Sequence, residues 1–132
     1  MNPPEQSGQS DPVQRLPLGT GGAAALCAYA RSLGHDATRI DLAGCHDKPT
    51  FLERTAEALD FPGWFGENWD AYYDCLADLG WRTAPGHLLV YENASEFAAS
   101  APEALNTALV ILGDAAAAWA SRGVPFRAFV DA

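Results

Sequence analysis

Three aspartates, Asp70, Asp74 and Asp78, recur at intervals of four residues, with Glu67 just ahead of them. Residues four apart lie on the same face of a helix, so these carboxylates would form one acidic row. Like charges at this spacing cost roughly 0.2–0.5 kcal/mol per pair. No lysine or arginine occurs in residues 55–81 to offset that cost. Such a row could face a cationic protein surface, bind Mg²⁺, or supply a general acid and base.

The residues around the acidic row predict the element that carries it. Residues 61–81, FPGWFGENWDAYYDCLADLGW, indicate a loop followed by a helix. Asn68 is expected to cap the helix through its side-chain oxygen, Gly66 to permit a tight turn before it, and Gly80 to end it. A second, apolar face of the same helix would pack inward. Its members are Trp69, Tyr72, Cys75 or Leu76, and Leu79.

The rest of the chain alternates predicted strands and helices. Alternating or continuous apolar runs predict strands at 13–18, 38–43, 87–91 and 126–130. Helical periodicity predicts helices at 20–33, 50–59, 93–99 and 101–121. Thr50 with Glu53, and Ser100 with Glu103, have the spacing of capping boxes. Gly34 and Gly123 fit left-handed helix ends.

Helical crossovers between successive strands predict a single-domain α/β fold with a small parallel sheet and right-handed connections. Three strands are expected, with 13–18 as a fourth at an edge, weakened by Pro17. Residues 1–12, rich in Pro, Gln, Ser and Gly, are expected to be a disordered tail. The domain would then span residues 13–132.

Composition narrows the classes of partner. The chain has 132 residues, 48% of them hydrophobic and 19% charged, which is typical of one globular domain. Its formal net charge of −9 argues against direct binding to nucleic acid or anionic lipid, and suits a basic protein. An acidic balance also serves solubility alone, so the position of the charge matters more than its sum.

Cysteine usage and the N-terminal residues indicate a cytoplasmic protein. Cys27, Cys45 and Cys75 are widely spaced and lack a metal-binding pattern, so we expect free thiols in a reducing compartment. The first residues have no basic start and no apolar run, so no signal peptide is expected. No apolar run is long enough to cross a membrane.

A specific motif links the chain to a known family. Residues 64–76, WFGENWDAYYDCL, contain an aromatic pair, Gly-Glu-Asn, and two aspartates at fixed spacing before Cys-Leu. This pattern resembles the barstar-like family of intracellular inhibitors of a secreted ribonuclease. The order of elements also resembles that family from about Thr38 to Val130. A strand and helix at 13–37 are extra.

The resemblance implies a barstar-like fold and a protein that is not an enzyme. In that family the loop and the following helix cover a ribonuclease active site, and their carboxylates occupy the positions of RNA phosphates. The implied partner is a basic endoribonuclease, and the implied role is that of an antitoxin or immunity protein. No cofactor or metal is implied.

The resemblance also assigns roles by position. Asp74 matches the central charge, Asp70 its neighbour, and Asn68 a cap that lies on the binding face. Ala77 matches a polar contact position, so that bond would be lost. Trp81 resembles a family tryptophan with two extra residues before it. An acid that the family has late in its third long helix is missing from residues 115–118. With the remaining contact positions and the other acids, the predicted partner-binding set is Trp64, Gly66, Glu67, Asn68, Trp69, Asp70, Ala71, Tyr73, Asp74, Ala77, Asp78 and Trp81.

Three alternatives remain open on sequence alone. The acidic row could be a solvated helix face, or belong to an interaction module without a nuclease partner. A carboxylate-based, metal-dependent enzyme is the third alternative, with His46 or His87 as candidate bases; no nucleophile motif, phosphate loop or HExxH sequence supports it. The aromatic residues help to discriminate: we expect Phe65 and Tyr72 in the core, Trp64 exposed, and Tyr73 beside the acids.

Overall fold

The computed structural model describes residues 11–63, 65–80 and 82–132. Most of the predicted disordered tail, residues 1–10, lies outside the described residues. The described strands are β1 (Val13–Arg15), β2 (Asp36–Asp41), β3 (His87–Glu92) and β4 (Phe126–Val130). The described helices are α1 (Gly22–Ser32), α2 (Lys48–Leu59), α3 (Trp69–Asp78), α4 (Ser95–Ser100) and α5 (Pro102–Ala120).

The four described strands form one parallel sheet in the order β1-β4-β3-β2. The predicted α/β class is therefore confirmed, and the edge strand predicted at 13–18 is present as the shorter β1. Pro17 explains its length, because proline has no N–H to give to a sheet. β1 pairs with β4, so it extends the sheet at the edge opposite β2.

Helices cover both faces of the sheet, so β3 is buried along almost its whole length. Leu88 and Val90 point toward α1 and join the smaller core cluster. Leu89 and Tyr91 point the other way and join the larger core, to which α2, α3, α4 and α5 contribute. The near-continuous apolar sequence of this strand follows from this double coverage.

Two predicted capping boxes are wrong. The side chain of Asp47 accepts a hydrogen bond from Thr50 N at 2.9 Å, so α2 begins at Lys48. That hydrogen bond also lowers the pKa of the Asp47 carboxyl. Ser100 is the last residue of α4, and α5 starts at Pro102 without a side-chain cap. At α2 the neighbouring Asp47 takes the capping role expected of Thr50, whereas at α5 the cap position is held by Ala101, whose side chain cannot accept a hydrogen bond.

The turns around α3 also differ from expectation. The positive φ before the helix belongs to Glu67 (51°), and the one after it to Leu79 (42°), where glycines 66 and 80 were predicted to act. Leu79 is 1% exposed, so its burial in the core holds a left-handed conformation that is unfavourable for leucine. Gly34 and Gly123 have positive φ as predicted.

Candidate functional site

The start of α3 is fixed by its predicted cap. Asn68 Oδ1 accepts a hydrogen bond from Ala71 N at 2.8 Å, which satisfies one of the free N–H groups of the first turn. Asp70 lies in that first turn, where the helix dipole favours a negative charge. The register of the helix, and with it the direction of each carboxylate, is therefore set locally.

The apolar face of α3 is fixed by the core. Tyr72, Cys75 and Leu76 are fully buried, as predicted. The Tyr72 hydroxyl lies 3.1 Å from the Tyr91 hydroxyl, which in turn lies 2.8 Å from Thr55 Oγ1. Burial raises the pKa of both tyrosines, so both hydroxyls stay protonated. This buried polar chain joins α3, β3 and α2.

The acidic row of Asp70, Asp74 and Asp78 lies on the opposite, exposed face. Within the described part of the chain, no lysine, arginine or histidine nitrogen lies within 4.0 Å of these carboxylates. Glu67 is also exposed. Burial, reinforced by Asp74 and Asp78, raises the pKa of the Cys75 thiol to about 11. The row therefore projects uncompensated negative charge into solvent.

Two arginines near the C-terminal end of α3, Arg82 and Arg122, are engaged by groups other than the acidic row. Arg82 pairs with Asp36 at 2.9 Å and with Asp60 at 3.1 Å, which ties the chain after α3 to β2 and to the end of α2. Arg122 donates to the carbonyl oxygen of Ala77 at 2.6 Å. A cation at the last turn of α3 suits the negative end of its dipole. Both arginines thus position α3 without neutralising its acids.

A groove separates α3 from α5. It has a volume of about 490 Å³, and we call it the α3–α5 groove. Asp114 on α5 lines it together with residues of the predicted set, although no sequence pattern pointed to Asp114. The predicted position of Tyr73 beside the acids is confirmed. The lining residues are Trp69, Asp70, Tyr73, Asp74, Ile111 and Asp114.

Trp69 is the largest side chain that lines this groove. It is partly buried, with its ring 6.1 Å from that of Phe51 and 5.7 Å from that of Tyr72. Lys48 Nζ lies 5.2 Å from the centre of the indole. This lysine, at the start of α2, places a cation at the margin of the candidate face.

Four members of the predicted set, Trp69, Asp70, Tyr73 and Asp74, line the α3–α5 groove together. Glu67, Asn68, Gly66 and the acidic row are exposed, while Trp69, Ala71, Tyr73 and Ala77 are partly buried. Trp64 and Trp81 lie outside the described residues. Phe65 is partly buried and packs edge-on against Phe61, with ring centres 5.0 Å apart.

The residues considered for catalysis are placed apart from the acidic row. His46 Nδ1 lies 3.2 Å from Ser100 Oγ and its Nε2 lies 3.6 Å from Glu96, on the α4 side of the fold. His87 is 2% exposed, inside the core. Within the described ranges, no group of three or more histidines, cysteines or acids is arranged to hold a metal ion.

The prediction of free thiols is confirmed for the three cysteines. Cys27, Cys45 and Cys75 are free and buried. Burial raises the pKa of each thiol, which keeps all three protonated at neutral pH.

None of the described helices combines the length and apolar character needed to span a bilayer.

Comparison with known proteins adds one positive finding. The family model described as Barstar (barnase inhibitor) matches residues 35–131, which is more than half of the chain. The match begins just before β2 and leaves out β1 and α1, so the extra segment predicted at the N-terminal side lies mostly outside it. A search of curated proteins found no match. The match covers the acidic row, the loop before it and the α3–α5 groove, and the chain therefore belongs to the barstar family of barnase inhibitors.

Proposed function

We propose that this protein binds a basic, barnase-type ribonuclease and blocks its active site with α3 and the preceding loop. The proposal is carried by one observation, the exposed acidic row of Asp70, Asp74 and Asp78 with no basic nitrogen of the described residues within 4.0 Å of its carboxylates. The family of the chain, named for a barnase inhibitor, supports a protein partner of this kind.

A ribonuclease must bind an anionic substrate. Its cleft has to attract phosphates, so it presents cationic side chains to which a rigid acidic helix is complementary. Opposed potentials accelerate encounter and select against wrong partners, an effect for which barnase and barstar are a standard example. The cap at Asn68 and the buried face of α3 hold the carboxylates in place before binding, which lowers the entropic cost of association.

We place the protein in the cytoplasm, where free buried thiols persist and where an immunity protein would protect the cell from its own nuclease. Inhibition needs no catalytic step, so the protein acts by steric and electrostatic exclusion of RNA rather than as an enzyme.

A stoichiometric inhibition assay tests the proposal. Purified protein is titrated into barnase and into a panel of other secreted barnase-type ribonucleases, and cleavage of a fluorogenic RNA substrate is measured. We expect activity of at least one of these enzymes to reach zero at a one-to-one ratio. Asp74→Ala should weaken that inhibition by about 30-fold or more, the effect of losing a central interface residue.

Glu103→Ala is the matched control. Glu103 is also an exposed acid, but it lies in the first turn of α5, away from the residues that line the α3–α5 groove. It should leave inhibition unchanged. If Asp74→Ala is folded and inhibits as well as the wild type, the acidic row is not the binding face. If the wild-type protein inhibits none of the nucleases, the proposed function is wrong.

A further inference from the structure

Helix α1 is apolar on its outer face as well as on its inner face. Its inner residues, Ala23, Cys27 and Ala30, belong to the smaller core cluster. Its outer face consists mainly of alanines and Tyr29, which is 67% exposed, and Arg31 is the one charged residue of the helix. A helix that is apolar on all sides is normally buried on all sides. The outer face of α1 therefore has the composition of a surface that another element covers.

The face of the sheet on which α1 packs is only partly covered. All helical members of the smaller core cluster come from α1, which lies over β2 and β3. On β4, the next strand, Arg127 is exposed and Phe129 is only partly buried. A groove of about 470 Å³ lies between α1 and this strand, and we call it the α1–β4 groove. Leu26, Leu33 and Pro125 add to its apolar lining.

The segment that contains β1 and α1 has no acid. Residues 12–35 include two arginines and neither aspartate nor glutamate, although the whole chain has a net charge of −9. No acid is found among the described residues that line the α1–β4 groove either, and Arg127 can lay its aliphatic stem along an incoming helix while its charged head stays in water. Two acidic proteins repel each other where their acids meet. At this face two copies of the chain can approach without that repulsion.

We propose that two copies of this chain form a symmetric dimer in which α1 of each copy lies in the α1–β4 groove of the other. The uncovered strip of the sheet needs an apolar helix, and the outer face of α1 needs an apolar groove, so one contact satisfies both. A two-fold axis makes the two contacts equivalent. Of the three large apolar residues that are exposed in the described chain, Tyr29 and Leu33 both lie here and would anchor the interface.

The dimer leaves the candidate nuclease-binding face free. Residues of α3 belong to the larger core cluster, on the other face of the sheet from α1. Both acidic rows therefore stay exposed on the outer sides of the dimer, and with the proposed function each copy would hold its own ribonuclease. β1 and α1 lie outside residues 35–131, which match the family model, so the dimer depends on the additional segment of this chain.

Sedimentation equilibrium of the purified full chain tests the inference without any ribonuclease. We expect the average mass to rise toward that of two chains as the concentration increases. Tyr29→Glu should raise the dissociation constant of the dimer about 100-fold or more, because symmetry places the substitution at both contacts. Tyr29→Phe keeps the apolar ring and should leave the dimer intact. Val110→Glu is the matched control, since it introduces the same charge at a similarly exposed apolar residue (64%) on α5.

Salt distinguishes this contact from a head-to-tail contact between the outer face of α1 and the acidic row of another copy. Added salt should favour the symmetric dimer, because it screens the repulsion between two chains of charge −9. It would weaken a contact made by opposite charges. A dimer that dissociates in salt would therefore overturn the inference.

Two further results would also overturn it. One is a wild-type chain that stays monomeric at every concentration. The other is an equal weakening of the dimer by Val110→Glu and Tyr29→Glu, because net charge rather than α1 would then govern association. Circular dichroism and thermal unfolding check that Tyr29→Glu is folded. The dimer and the proposed function are decided by separate measurements, so the failure of one is distinguishable from the failure of the other.

Discussion

Repulsion within the acidic row should lower the free energy of unfolding, and the variant Asp74→Asn measures this cost. Asp74 stands four residues from Asp70 on one side and four from Asp78 on the other. Each like-charge pair at this spacing costs roughly 0.2–0.5 kcal/mol. Removing Asp74 relieves two pairs, so the free energy of unfolding should rise by about 0.4–1 kcal/mol. Asparagine and aspartate have similar helix propensities, which leaves charge as the main difference.

The assay is urea denaturation at low ionic strength and again in concentrated salt. The three carboxylates are exposed, so salt should screen their repulsion and remove most of the gain. Glu103→Gln is the control, because it makes the same change in net charge. Glu103 lies in the first turn of α5, where a negative charge is favourable, so its loss should lower stability by about 0.3–1 kcal/mol.

Two results would refute this reasoning. If Asp74→Asn lowers the free energy of unfolding, Asp74 makes a stabilising contact that the exposed row does not account for. If both variants shift stability in the same direction and by the same amount, the effect comes from the net charge of −9 rather than from the local row. If stability rises while inhibition falls, the row has been kept for binding at the expense of folding.

Two further predictions concern the core, and both are measured by urea denaturation. Tyr91→Phe should lower the free energy of unfolding by about 1–3 kcal/mol, because it leaves the buried Tyr72 hydroxyl without its hydrogen-bond partner. Tyr72→Phe should lower it by less, because the Tyr91 hydroxyl still has Thr55 as a partner. Equal losses for the two variants would contradict this. Burial lowers the pKa of His87, against the opposing effect of Asp36 at 3.9 Å, so the unfolded chain takes up a proton more readily than the fold does. The contribution of neutral His87 to the free energy of unfolding should be complete above about pH 6.5 and be lost as the pH falls through the pKa that His87 has in the folded protein. His87→Gln should make the free energy of unfolding less dependent on pH in this range. An unchanged dependence would show that other groups cause it.

Local sequence predicted most of the elements because their signals are short in range. The strand at 126–130 coincides with β4, and the helix cap at Asn68 forms as expected. Both depend on the pattern of a few neighbouring residues. The prediction was wrong where two neighbouring residues could both cap a helix. At the start of α2, Asp47 is the cap instead of Thr50. The left-handed turn at Leu79 was missed because core packing, rather than the presence of a glycine, fixes it.

The sequence by itself determined that acids would share one face of a helix, because a repeat of four is a property of the helix alone. It could not determine which residues of other helices lie beside that face. Only the tertiary structure placed Asp114 beside Asp70 and Asp74, from which it is some forty residues away in the chain. The tertiary structure also gave Arg82 and Arg122 other partners than the acidic row. The packing of α3 against α5 decided this, since it depends on how the buried faces of two helices fit together rather than on any local pattern.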